Sequence, residues 1–228
     1  FSLLAHHWAA AEVDDKALSY LEAAGEQSLG AGAYLEAYRL FSQAVARARV
    51  PGFDAKLADD DRRAAWHRNL AEAHYGLGNA GDNIAECRRT LALLGWPVPT
   101  KHAAGVASLL RHGAHVAACS VLPARLYKVE VPAERKRAQI AAMAAHRMAN
   151  AAFTEEDALL TFLGSVMSMR LAMRTDAFVN SARCKSGLAI VLGMSRLTKS
   201  AVALFERSIA EAESIEDLEG LTYAHYAR

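Results

Sequence analysis

The chain has 228 residues, 26 basic and 25 acidic side chains and 53% hydrophobic residues, enough for one continuous helical array or two small domains. Its near-zero formal charge leaves no basic stripe of the kind a nucleic-acid partner requires. Abundant alanine, few aromatics and no alternating β-branched runs predict an all-α fold. The cysteines Cys87, Cys119 and Cys184 lie far apart without CxxC or Cys/His ligand spacing, so neither zinc nor a disulfide framework is expected, and a reducing, cytoplasmic setting is.

Residues 1–11 read as the end of a helix with Leu3, Leu4 and Trp8 on one face, followed by a turn at Val13-Asp14-Asp15. A second helix is expected over 15–29 and a third over 34–48, separated by the glycines of Gly30-Ala31-Gly32, which tolerate the left-handed helix-ending conformation. Asp59-Asp60-Asp61 offers negative charge to the positive end of a helix over 62–77. Gly78-Asn79-Ala80-Gly81-Asp82 is a turn, and 83–94 the returning helix, ended by Gly95-Trp96-Pro97. Further helices are expected over 101–122, 133–150, 155–174, 177–192, 198–214 and 218–228, about eleven in all. No initiator Met opens the chain and its last residues read as a helix interior, so a piece of a longer protein is expected.

One spacing recurs. Leu4-Ala5-xx-Trp8 precedes Ala17-xxx-Leu21-xx-Ala24, Leu70-Ala71-xx-His74 precedes Asn83-xxx-Cys87-xx-Thr90, and Leu188-Ala189-xx-Leu192 precedes Ala201-xxx-Phe205-xx-Ser208. In each the small residue of the first helix lies twelve before the residue opening the second, and Gly25 stands likewise before Ala37, with Phe41 and Ala44 beyond. Residues three and four apart share a helix face, so these stripes meet across the turn, and small residues at the crossing let the axes approach to ~8–10 Å. The later units are less regular: His146 sits twelve before Ala158 and is too large for the close approach. The segment 101–128 shows no partner signature.

This spacing resembles that of tetratricopeptide (TPR) repeats, which implies a right-handed superhelical solenoid with a concave groove for a peptide or helix. A narrower resemblance rests on Leu4-Ala5-His6-His7-Trp8 with Asp15, Leu18, Leu21, Ala24-Gly25-Glu26, then Gly32-Ala33-Tyr34 and Ala37. It rests also on Leu70-Ala71-Glu72-Ala73-His74-Tyr75-Gly76-Leu77-Gly78 with Leu91-Ala92-Leu93-Leu94-Gly95-Trp96-Pro97. These look like the C-terminal TPR region of large signalling proteins that carry a STAND/AAA-type ATPase module, often with class III adenylate/guanylate cyclase domains. None of those enzymes' catalytic motifs falls in this chain, so the resemblance carries over no catalytic residue.

Other clusters have plain readings. His6-His7 point to different helix faces, and His112-xx-His115 lacks a third ligand within sequence reach. Asp59-Asp60-Asp61 and Glu155-Glu156-Asp157 read as solvated helix entries, and Arg135-Lys136-Arg137 as a solvated helix start. Phosphate-loop and GxSxG motifs are missing, and Cys184 beside Arg183 and Lys185 reads as inert. Met143, Met148, Met167, Met169 and Met173 are expected to fill core gaps, and the apolar segment 105–122, too polar to cross a membrane, to be buried, with a partner-facing surface as the alternative.

The expectation is therefore a solenoid with TPR-like repeats in 1–97, an irregular helical connector in 98–132 and diverged repeats in 133–228. Leu4, Ala5, Trp8, Ala17, Leu21, Ala24, Ala37, Phe41, Ala44, Leu70, Ala71, Leu188, Ala189, Ala201 and Phe205 would do the packing. No catalytic, cofactor or metal site is expected. The partners would be protein segments in the groove and other domains of the same chain, with neither nucleic acid nor a membrane span. The expected function is a regulatory interaction scaffold for an attached cyclase or ATPase module. The alternative is a structural subunit or assembly adaptor with no attached enzyme.

Overall fold

A computed structural model of the protein describes residues 7, 13–51, 53–178 and 181–227. These form ten α-helices and two short 3-10 turns, with no strand among the described residues. Of the expected helix over 1–11 only His7 is described, and Leu4, Ala5 and Trp8 lie outside the described residues. The chain divides into two compact units, Phe1–Pro97 and Val98–Arg228.

The first unit holds α1 (Asp14–Gly30), α2 (Tyr34–Arg47), α3 (Asp60–Gly76) and α4 (Ala80–Leu93). Each helix packs on the next, and α1 also reaches α3. Arg47, at the end of α2, donates to Asp14 at the start of α1 over 2.5 Å, as an antiparallel hairpin requires. Asp59 caps α3, its carboxylate accepting from the Arg62 N–H. Leu18, Leu21, Leu40, Phe41, Trp66 and Leu70 form the core with Ala24, Ala37, Ala44 and Ala73 between them. Glu22 ties α1 to α3, accepting from Trp66 Nε1 at 2.5 Å and from Arg62 Nε at 2.7 Å.

The second unit holds α5 (His102–Cys119), α6 (Pro132–Thr154), α7 (Ala158–Met173), α8 (Ser181–Met194), α9 (Thr198–Ser214) and α10 (Leu218–Ala227). Helix α7 is central, packing on α5, α6 and α8, while α8 also meets α6, α9 and α10. Met148, Met167 and Met169 are buried and Met143 and Met173 half-buried, as gap-filling side chains.

The same three-residue turn joins α1 to α2, α3 to α4, α6 to α7, α8 to α9 and α9 to α10. Its middle residue is left-handed each time: Gly32 (φ 72°), Gly78 (75°), Glu156 (59°), Arg196 (60°) and Glu216 (55°). The next residue returns its N–H to the carbonyl five positions back, as in Ala33 to Ser28 (2.8 Å), Asp157 to Ala152 (2.9 Å) and Leu197 to Leu192 (2.9 Å). This closes the helix end in a Schellman motif. The first unit meets the conformation with glycine. The second meets it with Glu and Arg, so its turns are not marked by the residue that ordinarily signals them.

That recurring turn corrects the register expected in the second unit. Counting from the left-handed residue, the counterpart of Ala71 and Asn83 is Ala149 with Thr161, again twelve apart, and not His146 with Ala158. Met148-Ala149-xx-Ala152 and Thr161-xxx-Ser165-xx-Ser168 carry the recurring pattern, and all six are buried. Residues 155–157 are the turn itself, with Asp157 capping α7 through the Leu160 N–H at 2.9 Å. His146 instead lies under Gly187 of α8, where a Cβ would fall 3.1 Å from its Nδ1.

The segment 98–132 belongs to the second unit and carries helix α5. Its helix α5 packs on α7 through Gly105, with Leu159 against it, and buries Ser108, His112 and Cys119. The connection to α6 is anchored by the Val129 N–H on the Arg174 carbonyl (2.8 Å) and by Lys128 and Arg135 on Asp176. The expected burial of the apolar residues holds in part: Leu109 and Val116 are half-buried, whereas Val106 and Leu110 are exposed.

Candidate interaction groove

In the first unit, α2, α3 and α4 leave an open hollow of about 310 Å³. Each helix lines it with one face. Tyr38, Ser42, Val45 and Arg49 come from α2 and just beyond it, His67, Leu70 and His74 from α3, and Asp82, Glu86 and Arg89 from α4. These positions are three or four apart within each helix, the spacing that keeps side chains on one stripe.

The wall between α3 and α4 is a polar row. His67 Nδ1 lies 2.6 Å from Glu86 Oε2, and Arg89 pairs with the other carboxylate oxygen. Both His67 and Glu86 are buried, whereas Arg89 is more than half exposed. Burial by itself would push the Glu86 carboxyl up. The His67 hydrogen bond and the charges of His67, Arg89 and His74 outweigh it and hold the group below the usual carboxylate range. With Glu86 ionised, His67 Nδ1 carries the proton and donates it.

His74 lies two turns further along α3 than His67. Its ring meets Tyr38 edge-on at 5.1 Å between centroids, and its buried Nδ1, 3.9 Å from Asp82 Oδ2, has no hydrogen-bond partner. The groove thus offers an apolar floor (Val45, Leu70), a fixed carboxylate–imidazole pair and two arginines on opposite sides, Arg49 and Arg89. Such a lining combines apolar surface with fixed polar and charged groups. Among the described residues no cluster of three or more His, Cys, Asp or Glu is arranged to hold a metal ion.

The residues expected to pack the repeats lie behind this groove and in the second unit. Ala17, Leu21, Ala24, Ala37, Phe41, Ala44, Leu70, Ala71, Leu188, Ala189, Ala201 and Phe205 are all buried. Asn83 Nδ2 donates to the Ala71 carbonyl at 2.7 Å and Ser208 Oγ to the Ala182 carbonyl at 2.8 Å, so the polar members of the recurring spacing bond across the helix pairs. Of the expected stripe only Leu70 and His74 also line the groove. Tyr38, His67, Glu86 and Arg89 were not singled out from sequence, although the stripe 38, 42, 45, 49 and its counterparts 67, 70, 74 and 82, 86, 89 are visible there.

The remaining clusters are accounted for locally. Asp59 and Asp157 are helix caps, and Cys184 is buried, its thiol pushed up to about 11 chiefly by burial. No helix among the described residues is long and apolar enough to cross a membrane. Compared with known proteins, the chain matches no protein-family model, no curated protein and no solved structure.

Proposed function

We propose that this chain is a protein-interaction scaffold whose first unit receives a peptide or helix of a partner protein in the α2–α3–α4 groove. The observation that carries the reading is the groove itself: three successive helices line one open hollow with both apolar and fixed polar groups. The recurring hairpins support it, since hairpins that share faces hold such a surface rigid. In the parent protein the bound segment would regulate an attached nucleotide cyclase or ATPase module. That part of the proposal rests on the resemblance of most of residues 1–97 and 176–214 to TPR regions of such signalling proteins.

The test is selection of displayed random 15-residue peptides on the purified chain. Ala46 of α2 also lines the hollow, and recovered peptides should lose binding at least about tenfold when Ala46→Trp fills it, the loss expected when an anchor is excluded from its pocket. Peptides that bind the filled variant equally well, or turnover of a nucleotide by the purified chain itself, would refute the reading.

A further inference from the structure

The groove of the first unit is charged unevenly along its length. Three encounters fix the order of its lining: Tyr38 meets His74, His74 faces Asp82, and His67 bonds Glu86. Helix α3 therefore runs against both α2 and α4, and the hollow has two distinct ends. Tyr38, His74 and Asp82 stand at one, Arg49 and Arg89 at the other. The charges between them are matched, because the Glu86 carboxylate takes both His67 and Arg89. Two charges are not. Arg49, exposed just beyond α2, makes no ion pair among the described residues. Asp82, in the first turn of α4 with its side chain 70% exposed, comes no closer than 3.9 Å to His74 Nδ1, beyond hydrogen-bond reach. His74 beside it is nine-tenths buried, and its Nδ1 bonds nothing. Tyr38 precedes Arg49 by eleven positions, so at about 1.5 Å per residue the two ends lie about 16 Å apart along α2.

We propose that the groove selects its partner segment by charge order: an acidic side chain pairs with Arg49, an apolar side chain rests on Val45 and Leu70, and a Lys or Arg side chain pairs with Asp82. This order rests on the groove being the partner's seat, and adds to it the direction and side-chain chemistry of the bound segment. The planar fork of Arg49 matches a carboxylate two oxygens at a time. A segment laid in the opposite direction sets its base against Arg49 and its acid against Asp82, and is repelled at both ends. Charges at a hydrated rim contribute little affinity, yet they fix register and orientation. The acid and the base should stand about five positions apart in an extended segment, or about eleven apart in a helix. A uniformly acidic segment does not fit, because Asp82 opposes it.

The experiment sequences the displayed 15-residue peptides that bind the whole chain and are lost with Ala46→Trp. One of them is then titrated calorimetrically beside its charge-exchanged copy, in which acid and base trade places. The wild type should prefer the selected peptide, and Arg49→Glu should weaken that peptide at least about threefold, near the upper range for an exposed ion pair. The double variant Arg49→Glu, Asp82→Lys should prefer the charge-exchanged copy. Arg49 is exposed outside α2, so Arg49→Glu alone keeps the test decisive should a lysine in the first turn of α4 unfold the unit. Groove-dependent peptides without the two opposite charges, equal binding by wild type and Arg49→Glu, or a folded double variant that keeps the wild-type preference would overturn the charge order and leave the scaffold reading standing. Absence of any groove-dependent peptide would overturn both.

Discussion

The second unit depends on how closely α6 and α7 approach, and Gly164 measures that distance. A Cβ at Gly164 would fall 2.9 Å from the Ala145 carbonyl oxygen and 3.0 Å from Ala149 Cβ. The backbone of a packed helix cannot swing aside as a side chain would. Gly164→Ala therefore combines a gain of ~1 kcal/mol in helix propensity with an overpacking cost of ~1–3 kcal/mol. The net is a loss of up to ~2 kcal/mol. Gly113, inside α5, is the internal control, because a Cβ there meets nothing within 4 Å. Gly113→Ala should keep the propensity gain and stabilise by about 0.5–1 kcal/mol. The two alanine variants should thus differ by ~1–3 kcal/mol, or about 0.5–1.5 M in urea midpoint for a slope near 2 kcal/mol/M. Far-UV circular dichroism reports both units. Fluorescence of Trp8, Trp66 and Trp96 reports the first unit alone, where the midpoint should stay fixed. Equal midpoints for Gly164→Ala and Gly113→Ala would show that α6 and α7 do not pack at this distance.

The turns and the buried histidines give two further expectations. Arg196→Gly removes a side chain from a left-handed residue and should stabilise the second unit by about 1 kcal/mol, whereas Gly78→Ala should destabilise the first by a similar amount; urea midpoints of the two variants moving in the same direction would contradict the turn geometry. His146 is pushed down to about 3 and His112 to about 4, each chiefly by burial, so below about pH 6.5 the unfolded chain takes up protons that the folded second unit refuses. Stability present above pH 6.5 should accordingly be lost as the pH falls through 5 toward 4, and His146→Leu should flatten the slope; a wild-type midpoint constant from pH 7 to 5 would refute this.

Much of the helical plan was legible because its signals are local. Apolar spacing, Asp59 as a cap, and the glycines at 32, 78 and 95 mark element ends in the first unit without knowledge of any neighbour. In the second unit the same plan is written in different residues. Thr161, Ser165 and Ser168 stand where Asn83, Cys87 and Thr90 stand in the first, because α7 meets an alanine-lined α6 so closely at Gly164 that nothing bulkier fits. Glu156 and Arg196 hold the left-handed turns without advertising them. Helix α5 inverts the usual pattern, turning Ser108, His112 and Cys119 inward and leaving Leu110 outside, a choice no periodicity reveals.

The sequence by itself determined that the chain is helical, that its helices pair across short turns, and that small residues recur twelve apart. Those properties follow from bonds and contacts between residues near one another along the chain. Only the tertiary structure decided that His67 meets Glu86, that Tyr38 meets His74, and that Arg170 meets His112 of another helix. Each of those encounters joins residues 19 or more apart, set by the angles at which helices cross; a local pattern carries no record of them.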